Sequence, residues 1–332
     1  MSTHEIVYLV FGIVLTVALV FDLGLLSKKN KVVTIKQALY QTFFWVSLAM
    51  IFFVFMWIEG PNLAAENKTI TTIPATGAQI AFEFLSAYLM EWSLSIDNIF
   101  VFILIFTAFS VKEKHYPRVL LLGILMAILF RIIFITVGVT LVAKFSWILY
   151  LFGVFLVYTG YKMFTANEEE EFDPRTSKGY RFIKKFFPLT NHDGNGKYII
   201  REEGKRVYTS LFVVVLLLAV IDLVFALDSI PAVMGISKDP LVIYTSNIFA
   251  VLGLRSLFFL LRSAVSKFDY LQQGIAIVLI FIGVKMLGEH YLNQWMNKTV
   301  QVFLSLGVIL LCISGSIVYS IYRSKVDAPG NR

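Results

Sequence analysis

Apolar residues fall along this chain in nine blocks of roughly 17 to 25, the length at which a helix crosses the ~30 Å hydrocarbon core of a bilayer. They lie near residues 5–26, 37–59, 84–109, 119–143, 147–164, 209–236, 241–264, 271–289 and 300–322. In hydrocarbon the backbone must satisfy its own hydrogen bonds, so each block is expected to be helical. Charged residues make up 15% of the chain and mean hydropathy is +0.77, whereas a soluble domain is about 25% charged. The expected fold is an all-α polytopic membrane protein with nine transmembrane helices. MSTHE is not a basic leader and no small-residue cleavage site follows VFDLGLL, so the first block is read as a helix. Cys312, the single cysteine, lies in the last block and has no intramolecular partner.

Lys and Arg collect on the cytoplasmic side of membrane proteins. With the N-terminus outside and the C-terminus cytoplasmic, only Lys68, Lys144, Lys238 and Lys298 fall in outer loops. The net charge of +7 is therefore read as a topology signal, and no clustered Arg and aromatic surface argues for nucleic acid. The longest polar segment, 165–208, is read as a cytoplasmic loop. Within it NHDGNGKYIIRE puts Asn191, Asp193, Asn195, Gly196 and Glu202 at the offsets of a calcium loop. KYIIREEGKRVYTS reads better as two short strands around a Glu-Gly turn.

A repeat organises the rest. EWSLSIDN in the third block matches DLVFALDS in the sixth: Glu91 pairs with Asp222, Asp97 with Asp228 and Asn98 with Ser229. Arg131 pairs with Arg255, and Gly160-Tyr161-Lys162-Met163 with Gly283-Val284-Lys285-Met286. Three spans repeat as a unit, and an odd number inverts the second copy, giving a 3+3 inverted repeat of the kind that builds transport sites near the bilayer midplane. The organisation expected is two N-terminal helices (1–83), the first repeat (84–164), the loop with its hairpin (165–208), the second repeat (209–289), and a last helix and tail (290–332).

Glu91, Asp97, Asp222, Asp228, Arg131 and Arg255 would together cost about 15 kcal/mol if left unpaired in the membrane. The arginines are expected to strut two of the acids. Two acids remain, and a cation or protons would complete the balance. Glu91, Ser95 and Asn98 share one helical face while Asp97 points about 120° away. Pro231 is expected to kink or unwind the sixth span beside Asp228. Every polar candidate is an oxygen donor, and His4, His115, His192 and His290 lie outside the blocks. Such donors suit Mn²⁺, Mg²⁺ or Ca²⁺ better than zinc or copper, and the residues alone do not choose among the three.

EWSLSIDNIFVF, FALDSIPAV, TSNIFAVLGLR and the two Gly-x-Lys-Met endings closely resemble the TerC/Alx family of bacterial membrane proteins, over a stretch running from Asp22 in FDLGLL to the last spans. The resemblance implies an inner-membrane, multi-pass protein associated with manganese export, tellurite resistance or alkaline response. It implies a metal site of Glu91, Asp97, Asn98, Asp222, Asp228 and Ser229, with Arg131, Arg255, Asn247 and Asp22 as charge-balancing or gating positions. Where many relatives carry a Glu three residues before Asp222, this chain has Ala219.

The function expected is secondary export of a divalent cation, Mn²⁺ first, with Ca²⁺ or Mg²⁺ as other candidates. Protons are the expected coupling ion and the lipid bilayer the surrounding partner. No permanently bound cofactor and no enzymatic activity are expected, since no span carries a His. The alternatives are a redox- or stress-linked membrane modulator and a tellurite-resistance protein without cation transport. A reporter fused after Arg332 is expected in the cytoplasm and one at Asn67 outside; the reverse pattern would overturn the nine-span reading.

Overall fold

The computed structural model describes residues 3–26, 33–66, 77–165, 175, 178–190, 194–202, 205–262 and 270–326. Nine helices overlie the apolar blocks: α1 (Thr3–Leu26), α2 (Ile35–Glu66), α3 (Gly77–Ala108), α4 (Tyr116–Lys144), α5 (Ile148–Thr165), α7 (Ser210–Ile236), α8 (Pro240–Leu261), α9 (Leu271–Leu287) and α11 (Lys298–Val326). Short helices α6 (Lys178–Phe186) and α10 (Glu289–Trp295) complete the set. Six helices among the described residues are long and apolar enough to cross a membrane, or seven if α9 and α10, bent by 78°, form one span. The nine expected spans are not reached on that measure. The apolar stretch Glu5–Val20 of α1 is too short, and part of α3, the Asp97 side chain included, lies outside the described residues.

Lipid solvates apolar side chains, so burial of oil against oil does not drive helices together in a membrane; close packing and polar contacts do. The outer surface is accordingly apolar, with Phe43 on α2 and Leu311 on α11 73% and 74% exposed. α8 is enclosed along nearly its whole length. Its start is capped by Asp239, whose carboxylate accepts from the Leu241 amide at 2.9 Å, with Pro240 in the first turn. Rings of Phe11, Phe52, Phe84 and Phe249 form one cluster that binds α1, α2 and α3 to α8.

The helices of the two sequence repeats interleave. α3 packs along α8, α4 along α7, and α5 along α9. The α5–α9 seam is set by glycines. A Cβ on Gly160 would lie 2.8 Å from the Ala276 carbonyl oxygen, and one on Gly283 would lie 2.7 Å from that of Gly153. In the register that aligns Gly160 with Gly283, Gly153 aligns with Ala276, so the two contacts are the same contact seen from either helix.

Two local expectations meet different outcomes. The loop forms the expected hairpin, β1 (Ile199–Glu202) against β2 (Lys205–Tyr208), with Glu202 opposite Lys205. Asn195 and Gly196 sit in a left-handed turn at φ of 55° and 86°, while Asn191 and Asp193 lie outside the described residues. Of the kink or unwinding expected at Pro231, the unwinding is not seen: α7 stays helical through it. Proline removes one backbone donor, and here the helix absorbs that loss without unwinding.

Replacing Gly160 or Gly283 by Val is expected to cost roughly 1 to 3 kcal/mol through overpacking of the seam. Gly307→Val, where no atom lies within 4 Å of the added carbon, should leave thermal unfolding of the detergent-solubilised protein unchanged. Equal melting of all three variants would contradict the packing described.

Candidate ion-binding site

Four helices converge on one guanidinium. Arg131 of α4 is 1% exposed, as are Glu91 of α3 and Asp222 of α7, and Asn247 of α8 is fully buried. Nε of Arg131 donates to Asp222 Oδ2 at 2.7 Å and Nη2 to Oδ1 at 3.0 Å, a two-pronged grip that matches the planar fork to the carboxylate. Nη1 donates to Glu91 Oε1 and, at 3.1 Å, to Asn247 Oδ1. The Asn247 amide is oriented by its own donation to the Ile243 carbonyl at 2.9 Å. Four of the five N–H groups of an arginine are thereby engaged.

The balance is incomplete in both charge and hydrogen bonding. Two carboxylates face one guanidinium. Glu91 Oε2, Ser95 Oγ, Asn98 Oδ1 and Ser229 Oγ are buried and have no hydrogen-bond partner among the described residues. Residues 91, 95 and 98 follow the i, i+4, i+7 spacing that lines one helix face, and Ser229 lies beside Glu91 without forming a hydrogen bond of good geometry to it. Each buried oxygen left unpaired costs about 1 to 3 kcal/mol. These four oxygens, one of them on the carboxylate that Arg131 only half engages, are hard donors left without a partner.

The remaining candidates lie apart from this cluster or outside what is described. Asp228 is half-buried and accepts from Thr159 Oγ1 of α5 at 3.3 Å. It follows Asp222 by six residues, about 120° away around the helix axis, and α7 is not unwound to turn it back. Arg255 is 4% exposed on α8. The helical backbones of Asp97 and Asp22 belong to α3 and α1, but both side chains lie outside the described residues. Among the described residues no three His, Cys, Asp or Glu side chains are grouped to hold a metal.

Sequence reasoning missed two polar partners. Glu83 falls one residue before the third apolar block, yet lies within α3. It bonds Gln79 at 2.9 Å and accepts from Ser237 Oγ at 2.5 Å, tying α3 to the α7–α8 turn. Thr159 carried no signal in the sequence because a hydroxyl in an apolar helix usually bonds its own backbone, and its place about three turns into α5 marks it no further.

The profile of the family described as "Integral membrane protein TerC family" matches residues 76–328. The chain is 39% identical over 318 residues to uncharacterized membrane protein STKORF319 of Myxococcus xanthus, covering 94% of this chain and 92% of that one. It is 37% identical over 319 residues to an uncharacterized membrane protein of Rickettsia felis, covering 96% and 98%. A protein of Escherichia coli O6:H1 named "Putative membrane-bound redox modulator Alx" is 36% identical over 318 residues, covering 96% of each chain. No solved structure matches.

Removing one partner of a buried ion pair leaves an uncompensated charge, at about 3 to 5 kcal/mol. Arg131→Leu is therefore expected to lower stability by that order. Adding Glu91→Gln and Asp222→Asn to it should restore most of the loss. Thermal unfolding that ranks the triple variant below Arg131→Leu would contradict the pairing.

Proposed function

Because the chain belongs to the TerC family of integral membrane proteins, we propose that it is a secondary transporter of a bacterial inner membrane that exports a divalent cation, Mn²⁺ foremost. The observation that carries this reading is the group of unpartnered buried oxygens, Glu91 Oε2, Ser95 Oγ, Asn98 Oδ1 and Ser229 Oγ. Oxygen donors of this kind replace the hydration shell of hard divalent ions, among which Mg²⁺ and Ca²⁺ are the competitors. In this reading Asp97, Asn98, Asp222 and Asp228 complete the metal-binding set, with Arg131, Arg255, Asn247 and Asp22 as charge-balancing or gating positions.

The transport fold proposed is a 3+3 inverted repeat within nine spans, N-terminus outside and C-terminus cytoplasmic. The interleaving of α3 with α8 and of α4 with α7, together with the reciprocal Gly160 and Gly283 contacts, supports a two-fold relation between the repeats. Moving a divalent ion outward against 100 mV costs about 4.6 kcal/mol, and exchange for two protons removes that cost. The chain needs no permanent cofactor and performs no covalent chemistry in this scheme.

One observation favours a second reading. The name of the Escherichia coli relative is that of a redox modulator. A single cysteine, Cys312, leaves no dithiol within the chain, so such a role would run through partners at the 165–208 loop. Deleting residues 165–206 should then abolish function while Asp97→Asn spares it.

For the export reading, inverted vesicles bearing this protein should accumulate Mn²⁺ ahead of Mg²⁺, Ca²⁺ and Zn²⁺. Asp97→Asn and Asp228→Asn should each nearly abolish uptake with the protein still inserted. A double variant no worse than either single one is the result expected if the two carboxylates serve one ion, and multiplying losses would assign them separate steps. Vesicles that take up no Mn²⁺ would remove this reading.

A further inference from the structure

The guanidinium of Arg131 and a divalent cation would draw on the same oxygens. Both Asp222 oxygens and one Glu91 oxygen are already taken by Arg131, leaving Glu91 Oε2 and the neutral oxygens of Ser95, Asn98 and Ser229. One carboxylate oxygen and three neutral ones make a poor match for two positive charges. Among the described residues the further carboxylate beside this group is Asp222. It becomes available only if Arg131 lets go, and a guanidinium held beside a divalent ion in an apolar site would repel it.

We propose that Arg131 is a tethered counter-ion that occupies the Glu91–Asp222 pair when no cation is bound, and that a divalent cation binds by displacing it from Asp222. This inference rests on the cation reading above. Arginine suits the task because it stays charged in any protein environment and grips a carboxylate with two parallel bonds. Asn247 gives the displaced group a resting place. Its amide is fixed by the Ile243 carbonyl and keeps Oδ1 toward Nη1, so the guanidinium retains an acceptor after leaving Asp222. The arrangement also selects by charge. A monovalent ion would replace one positive charge by another and gain nothing over the arginine already in place, whereas a divalent ion brings a second charge to two ionised acids.

The test is Mn²⁺ binding to the purified full-length protein, followed by loss of the six-line electron paramagnetic resonance signal of free Mn²⁺. Arg131→Lys keeps the charge but loses the fork, so Mn²⁺ should bind about ten-fold more tightly than in the unaltered protein, the equivalent of one charge-assisted hydrogen bond removed from the competitor. Arg131→Gln, with no competing charge, should bind more tightly still. If the glutamine variant is not recovered folded, the lysine variant decides. Equal or weaker Mn²⁺ binding in the variants would overturn the displacement and make Arg131 a fixed strut that positions the acids. Absence of Mn²⁺ binding in the unaltered protein and in both variants would overturn the cation reading together with it.

Discussion

A charged arginine at the centre of an apolar helix is the constraint around which the rest of this molecule is arranged. Arg131 sits where insertion costs about 2.5 to 3.5 kcal/mol on translocon scales, and the fold meets that cost by bringing an acid from α3, an acid from α7 and an amide from α8 to one point. These helices lie far apart in sequence. Their convergence fixes the relative height of α3, α4, α7 and α8 in a way that apolar packing against lipid-like surfaces could not, since a helix of Leu and Phe slides along another with little change in contact.

Around that polar centre the packing is steric. Gly160, Gly283 and Gly153 let α5 and α9 approach until a carbonyl of one helix lies where a side chain of the other would begin. The aromatic cluster of Phe11, Phe52, Phe84 and Phe249 does the complementary job on the other side of α8, filling volume and leaving no polar group behind. Polar contacts thus set register at the centre, and shape sets distance at the flanks.

Much of this was legible in the sequence, for identifiable reasons. Helix positions follow from block length, and the hairpin from the Glu-Gly turn between β-prone runs. The acids Glu91 and Asp222 stood out because charge inside an apolar block is rare, and a strut role for an arginine follows from charge balance alone. What the sequence did not reveal is direction. Nothing in it tells which acids Arg131 selects, or that Asp228 turns to Thr159 on α5, because those choices depend on the azimuth of each helix, which neighbours fix. Glu83 went unread because it and Gln79 interrupt the apolar run, so the third block is taken from residue 84 although α3 begins at Gly77. Pro231 does not unwind α7, whose residues Ser229 to Met234 are all buried against neighbours.

The reciprocal glycine contact carries a mechanical corollary. Side chains of Leu287, Ile280 and Val157 close over Gly153, Gly160 and Gly283 beside the facing carbonyls, so a displacement of one helix along the other would drive backbone into side chain, and the pair is keyed to one register.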